Sequence, residues 1–211
     1  MAEIGIMGGT FDPIHNGHLL LGRQAYTEYH LDEIWFMPSG TPPHKKDHVV
    51  TSAEHRIEMV RLAIKDYPGF VCSDFEIWRQ GNTYTAETLR LLHKQYLKNC
   101  FYFIIGADSL YQIENWYHPA EVMKQCVLLV AHREYEEAHC PVREQADHLR
   151  RSYKADIRFL HCPEVDIASG ELREMVREGK GIHSYVPESV EAYIQTHRLY
   201  QDLVKPAHTG D

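Results

Sequence analysis

The sequence predicts a doubly wound α/β fold with a mostly parallel sheet, and three observations carry that prediction. Short apolar runs recur along the chain, at Ile4-Gly5-Ile6-Met7, Ile34-Trp35-Phe36-Met37, Phe101-Tyr102-Phe103-Ile104-Ile105, Val127-Leu128-Leu129-Val130 and Ile157-Arg158-Phe159-Leu160. Stretches with helical spacing lie between them, and that alternation belongs to βαβ units. The first run ends in Gly8-Gly9 and leads into Leu19-Leu20-Leu21, which reads as strand, glycine turn and helix, the order of a Rossmann-like first βα junction.

Each element follows from local chemistry. The run at 34–37 ends at Pro38 and delivers the loop Ser39-Gly40-Thr41-Pro42-Pro43-His44-Lys45-Lys46, stiffened by its prolines. Thr51-Ser52-Ala53-Glu54 matches a capping box, and Ile57, Val60 and Ile64 continue at helical spacing, so a helix is expected over about residues 52–66. A strand-like stretch around 70–77 comes next, then a turn at Gly81-Asn82, then a helix capped by Thr85 with Leu89, Leu92 and Tyr96 on its apolar side. The run at 101–105 is too apolar for a half-exposed sheet and is expected as a central strand covered on both faces. After the run at 127–130, residues 134–153 are charged and predict a surface helix; after the run at 157–160 comes a short helix that stops near Gly179-Lys180-Gly181. Pro187 opens a last helix containing Val190, Tyr193 and Ile194. With 211 residues, 44% hydrophobic and 25% charged, one well-buried domain over 1–204 is expected, with a frayed tail from 205.

Charge and cysteine usage exclude several classes. A net charge of −8 argues against general nucleic-acid binding, so an anionic ligand has to be met by local groups. The five cysteines (Cys72, Cys100, Cys126, Cys140, Cys162) are odd in number and lack a Cys-x-x-Cys pair, which suggests neither a disulfide framework nor a zinc site. No secretory n-region opens the sequence and no run is long enough to span a bilayer, so a soluble, cytoplasmic protein without membrane partners is expected.

The chemistry concentrates at Gly8-Gly9-Thr10-Phe11-Asp12-Pro13-Ile14-His15-Asn16-Gly17-His18. Paired glycines let backbone N–H groups approach a phosphate, and the following helix start adds unpaired N–H groups and a positive dipole end. His15 and His18, three apart, face the same side. With 15 histidines in the chain such a pair arises by chance about once, so the junction, not the spacing, carries the reading. Further candidates lie at other strand ends. Lys45 and Lys46 can reach a phosphate or simply be solvated. Asp108, after Gly106 at the end of the central strand, can accept from a ribose hydroxyl or an adenine amine, position a metal-bound water, or merely cap the next helix. Trp116 and Tyr117 can stack on a flat ring or fill core.

The glycine-histidine block is similar to the (H/T)xGH signature of the nucleotidyltransferase superfamily, and within it resembles the bacterial nicotinate-nucleotide adenylyltransferases. The likeness continues at Pro42-Pro43-His44-Lys45, Tyr84-Thr85, Gly106-Ala107-Asp108, Trp116-Tyr117 and, imperfectly, over residues 169–173. It implies that the phosphate of nicotinate mononucleotide attacks the α-phosphorus of ATP, giving deamido-NAD and pyrophosphate. The resemblance implies His15 and His18 as catalytic donors, and Gly8, Gly9, Thr10, Gly17, Gly106, Asp108, Ser169 and Arg173 as ATP contacts. It implies Lys45, Tyr84, Thr85, Trp116, Tyr117 and Arg133 as contacts of the mononucleotide. Two departures stand out. Arg133 is followed by Glu134-Tyr135 where relatives carry Pro-Gly, and Ala168 and Gly170 replace two of the three hydroxyls of an Ile-Ser-Ser-Thr-x-Ile-Arg segment. Weaker or altered ATP contacts follow from the second, since backbone N–H donors survive such changes. Mg²⁺ is expected to arrive with ATP, there being no carboxylate cluster resembling a dedicated cage. A homo-oligomer is compatible with the sequence. The competing readings are another adenylyl- or cytidylyltransferase, such as a pantetheine-phosphate adenylyltransferase, and a non-catalytic nucleotide sensor. A class I aminoacyl-tRNA synthetase fragment shares the His-x-Gly-His but would bring a second domain and a basic surface.

Overall fold

A computed structural model describes residues 1–40, 50–131, 140–162 and 167–201. Among the described residues six strands form one sheet, every neighbouring pair parallel: β1 (Glu3–Gly9), β2 (Glu33–Pro38), β3 (Phe70–Cys72), β4 (Cys100–Gly106), β5 (Val127–Ala131) and β6 (Ile157–Leu160). Their order is β3-β2-β1-β4-β5-β6, so the winding direction reverses between β1 and β4, where doubly wound folds open a crevice. The helices are α1 (Asn16–Glu28), α2 (Ala53–Ile64), α3 (Thr85–Gln95), α4 (Ala107–Gln112), α5 (Pro119–Gln125), α6 (Val142–Tyr153), α7 (Ser169–Arg177) and α8 (Glu188–Thr196).

Strand alternation splits the core in two. Ile4, Ile6, Trp35, Met37, Phe101, Phe103 and Ile105 pack with α3, α4, α5 and α6 on one face. Met7, Ile34, Phe36, Tyr102 and Ile104 pack with α1, α2, α7 and α8 on the other. Apolar side chains on both faces are what a fully covered parallel sheet requires.

Three expectations are corrected. The strand expected around 70–77 ends at Cys72: the Ser73 N–H still reaches the Phe36 carbonyl, but the chain then coils into turns, with Ile77 N–H bonded to Asp74 and Arg79 N–H to Glu76. Thr85 is the first helical residue and Tyr84 takes the cap position, its carbonyl accepting from Glu87 and Thr88. The Thr51-to-Glu54 capping box is not used. Ser52 takes the cap position of α2, and Thr51 turns to the first loop, its N–H donating to the Asp12 carboxylate at 3.2 Å. All five cysteines are free thiols, and among the described residues no helix is long and apolar enough to cross a membrane.

Candidate functional site

A cleft of about 510 Å³ opens at the carboxyl ends of the strands, against β1 and β4. Its walls include Gly8, Gly9, His15, Gly17, His18, Thr85, Gly106, Asp108 and Trp116, nine of the residues singled out from sequence. Size, shape and mixed polarity suit a nucleotide.

The β1–α1 loop is built under constraint. Phe11 is fully buried at φ 51°, an uncommon conformation for a bulky residue, and its ring meets His18 edge-on with centroids 5.0 Å apart. His15 takes the cap position of α1 and His18 lies one turn in, so their rings face each other with centroids 3.7 Å apart. Glycine at 17 lets this packing close: a Cβ there would sit 3.0 Å from His15 Nδ1 and 3.2 Å from Ile167, tight enough that the His15 ring would have to give by a few tenths of an ångström. A side chain at 106 would likewise strike the Asp108 carboxylate, which folds back over the end of β4.

Burial sets the charge of the imidazoles. It drives the His15 pKa down to about 4, and with the neighbouring His15 ring it holds His18 well below the usual histidine range. Both rings are therefore neutral at pH 7 in the free protein. The His15 backbone N–H donates to His18 Nδ1 at 3.3 Å, so the neutral His18 ring carries its proton on Nε2. His15 Nδ1 is buried without a hydrogen-bond partner. Ser39 and Thr83, also on the cleft wall, carry buried hydroxyls with no partner of good geometry, although the Thr83 hydroxyl lies near the Glu76 carboxyl. Buried polar atoms without partners are costly, and here they converge on one cavity.

Behind the loop lies a charged scaffold that sequence reasoning missed. Arg56 is 3% exposed, and its guanidinium donates to the carbonyls of Thr51, Thr10 and Ser39, each at 2.9 Å. It thereby ties the loops after β1 and β2 to α2. The one available signal was a charged residue beside Ile57 and Val60 on the helix's apolar side. Glu76 also went unnoticed. Its carboxyl accepts from the Thr88 hydroxyl at 2.6 Å, and burial pushes its pKa up against that bond.

The remaining candidates divide. Thr10 is off the cleft wall, its carbonyl taken by Arg56. Ser169 Oγ donates to the Pro13 carbonyl at 3.0 Å and Arg173 Nη1 to the Asp12 carbonyl at 2.7 Å; neither lines the cleft, whereas Ile167 and Ala168 do. Trp116 forms the wall edge-on to Phe103, while Tyr84 and Tyr117, each next to a wall residue, stack on one another at 4.3 Å. Lys45 and Arg133 lie outside the described residues, as does the tail from 205. Among the described residues no group of three or more His, Cys, Asp or Glu side chains could hold a metal ion.

The family model described as cytidylyltransferase-like matches residues 6–184. A protein of Lachnoclostridium phytofermentans named probable nicotinate-nucleotide adenylyltransferase is 44% identical over 200 residues, spanning 95% of this chain and 100% of its own. One of the same name from Synechococcus sp. (strain JA-3-3Ab) is 41% identical over 203 residues, spanning 95% of each chain. Among solved structures, nicotinic acid mononucleotide adenylyltransferase of Plasmodium falciparum complexed with APC superposes with a TM-score of 0.77 at 19% identity, over 95% of this chain and 98% of that one. Its complex with NaAD gives 0.76 at 20%, with the same coverage. At such identity the likeness speaks to the fold.

Proposed function

The chain belongs to the nicotinate-nucleotide adenylyltransferase family, within the cytidylyltransferase-like proteins, and from that premise we propose how its β1–β4 cleft carries out the transfer. The enzyme joins nicotinate mononucleotide to the AMP part of ATP, forming deamido-NAD and pyrophosphate in NAD biosynthesis. A phosphate oxygen of the mononucleotide attacks the α-phosphorus; the new P–O bond forms as the bond to the bridging oxygen of pyrophosphate breaks. The mononucleotide phosphate has its second pKa near 6, so it enters mostly as the dianion and needs no general base.

The chain's contribution is position and charge. His18 Nε2–H and the His15 ring donate toward the α-phosphoryl oxygens and the departing pyrophosphate, with the backbone N–H groups of Gly8, Gly9 and the α1 start around them. Rings that are neutral in the free protein have room to take up positive charge when a triphosphate arrives, because a nearby anion favours the imidazolium. Asp108 serves the ribose or adenine of ATP. Thr85 and Trp116 hold the pyridine end, with the stacked Tyr84 and Tyr117 beside them, and Lys45 and Arg133 serve the mononucleotide. Ser169 and Arg173 act from behind, holding the carbonyls of Pro13 and Asp12. Among the described residues two carboxyl groups lie on the wall, Asp108 and a Glu76 already bonded to Thr88, and they form no cage, which fits Mg²⁺ carried in mainly by the phosphates of ATP; the ion would supply charge neutralisation there. The enzyme acts in the cytoplasm.

The observation that carries this reading is the convergence of His15, His18, Asp108 and Trp116 on one cleft at the strand-order reversal. The test is pyrophosphate release from ATP with nicotinate mononucleotide, nicotinamide mononucleotide or phosphopantetheine as acceptor. Release that is fastest with nicotinate mononucleotide is expected. Preference for phosphopantetheine would move the chain to another branch of the superfamily, and tight ATP binding without release would make it a nucleotide sensor.

A further inference from the structure

We propose that Tyr200 is a positioning residue for the transfer, acting through Asp12 on the loop that presents His15 and His18; this rests on the reading of that loop given above. Asp12 is 1% exposed and lies three residues before His15. A carboxylate so far out of water has to be hydrogen-bonded, and its partners come from distant parts of the chain. Oδ2 accepts the Thr51 N–H at 3.2 Å, and Oδ1 accepts the Tyr200 hydroxyl at 2.8 Å. Its own backbone carbonyl accepts Arg173, and the guanidinium of Arg56 lies within electrostatic reach.

The chain goes out of its way to make the Tyr200 contact. After α8, Arg198 (φ 51°) and Tyr200 (φ 65°) both adopt the left-handed conformation, uphill for residues with a Cβ, and the turn swings the Tyr200 ring back onto the loop. Inside, the hydroxyl also lies 3.8 Å from Met59 Sδ of α2. Burial and the adjacent carboxylate push the Tyr200 pKa up, so the hydroxyl keeps its proton and remains a donor wherever the enzyme works. The ring packs with the α2 and α8 core, while the hydroxyl is spent on the histidine loop. Removing the hydroxyl alone therefore separates loop position from packing.

The experiment is Tyr200→Phe in the full chain, read two ways. With saturating ATP and mononucleotide, kcat per folded enzyme should fall about tenfold while each KM stays within about twofold, since misplaced donors weaken the transition state more than the ground state. Amide hydrogen exchange over residues 11–18 should rise about tenfold, with α3 unchanged. Asp12→Asn keeps an oxygen for Tyr200 but weakens it as an acceptor, so Tyr200→Phe should cost less kcat in that background. Unchanged kcat overturns the proposal whatever the exchange shows, as does a rate loss that vanishes once scaled to folded protein, or effects of the two substitutions that simply add. If the parent releases no pyrophosphate, the assigned reaction fails instead, and the exchange arm still decides whether Tyr200 holds the loop.

Discussion

On one side of the cleft the loop after β1 is pinned from behind by buried charge: Arg56 grips three backbone carbonyls, and Asp12 gathers Thr51 and Tyr200. On the other side the site is finished by turns and aromatic rings, with Trp116 edge-on to Phe103 and Tyr84 stacked on a Tyr117 that is 52% exposed. The first side has one arrangement available to it, because moving the loop would strand charges out of water. The second can shift at small cost, since stacking is tolerant and its outer ring is solvated. On the function proposed above, the rigid donors meet the reacting phosphorus and the adaptable rings admit the pyridine.

The contrast is open to direct attack. Arg56→Met, which leaves the carbonyls of Thr51, Thr10 and Ser39 without their buried donor and removes one of the cations near Asp12, should cost about 3–5 kcal/mol in urea unfolding, whereas Tyr117→Ala should cost less than about 1 kcal/mol. Comparable losses would mean that the two sides are equally braced. His18→Ala should lower kcat by about a hundredfold or more with the melting temperature near that of the parent, because a donor aimed at developing phosphoryl charge is lost; full turnover would remove His18 from the chemistry. Trp116→Ala should instead raise KM for the mononucleotide about tenfold with kcat within about threefold, the pattern of lost ground-state binding. A fall in kcat alone would show that the aromatic side also positions the reacting atoms. The smallest effect concerns pH. An unfolded histidine titrates near 6.5 and folded His15 near 4, so between those values the unfolded chain holds a proton that the folded chain does not. Stability should therefore be full above about pH 6.5 and fall as pH drops toward 4, by about 1 kcal/mol per unit from His15. His18 acts in the same direction. Urea midpoints from pH 7 to pH 5 should show a shallower slope in His15→Gln, and an unaltered slope would mean that His15 is not desolvated.

What the sequence disclosed and what it concealed follow the same division. Strands β1, β2, β4, β5 and β6 were legible because covered parallel strands are written as unbroken apolar runs. β3 was overestimated because the residues after Cys72 are strand-like in composition, while their position is decided by turns and by the buried Glu76, a tertiary matter. That His15, Gly17, His18, Asp108 and Trp116 share one cleft was legible because each follows closely on the end of a strand, where doubly wound folds open their crevice. Arg56, Asp12 and Tyr200 were not: their meaning lies partly in hydrogen bonds spanning 39 to 188 positions, Thr51 to Asp12, Arg56 to Thr10 and Tyr200 to Asp12, whose partners no short window of sequence contains. Ser169 and Arg173 illustrate an intermediate case, identified as important but found bonded to the Pro13 and Asp12 carbonyls at the back of the loop.

The bond from residue 200 to residue 12 also has an order in time. Synthesis delivers the hydroxyl partner of Asp12 188 positions after it, when the six described strands have been made. A nascent chain thus assembles its scaffold well before its first loop receives that last polar contact.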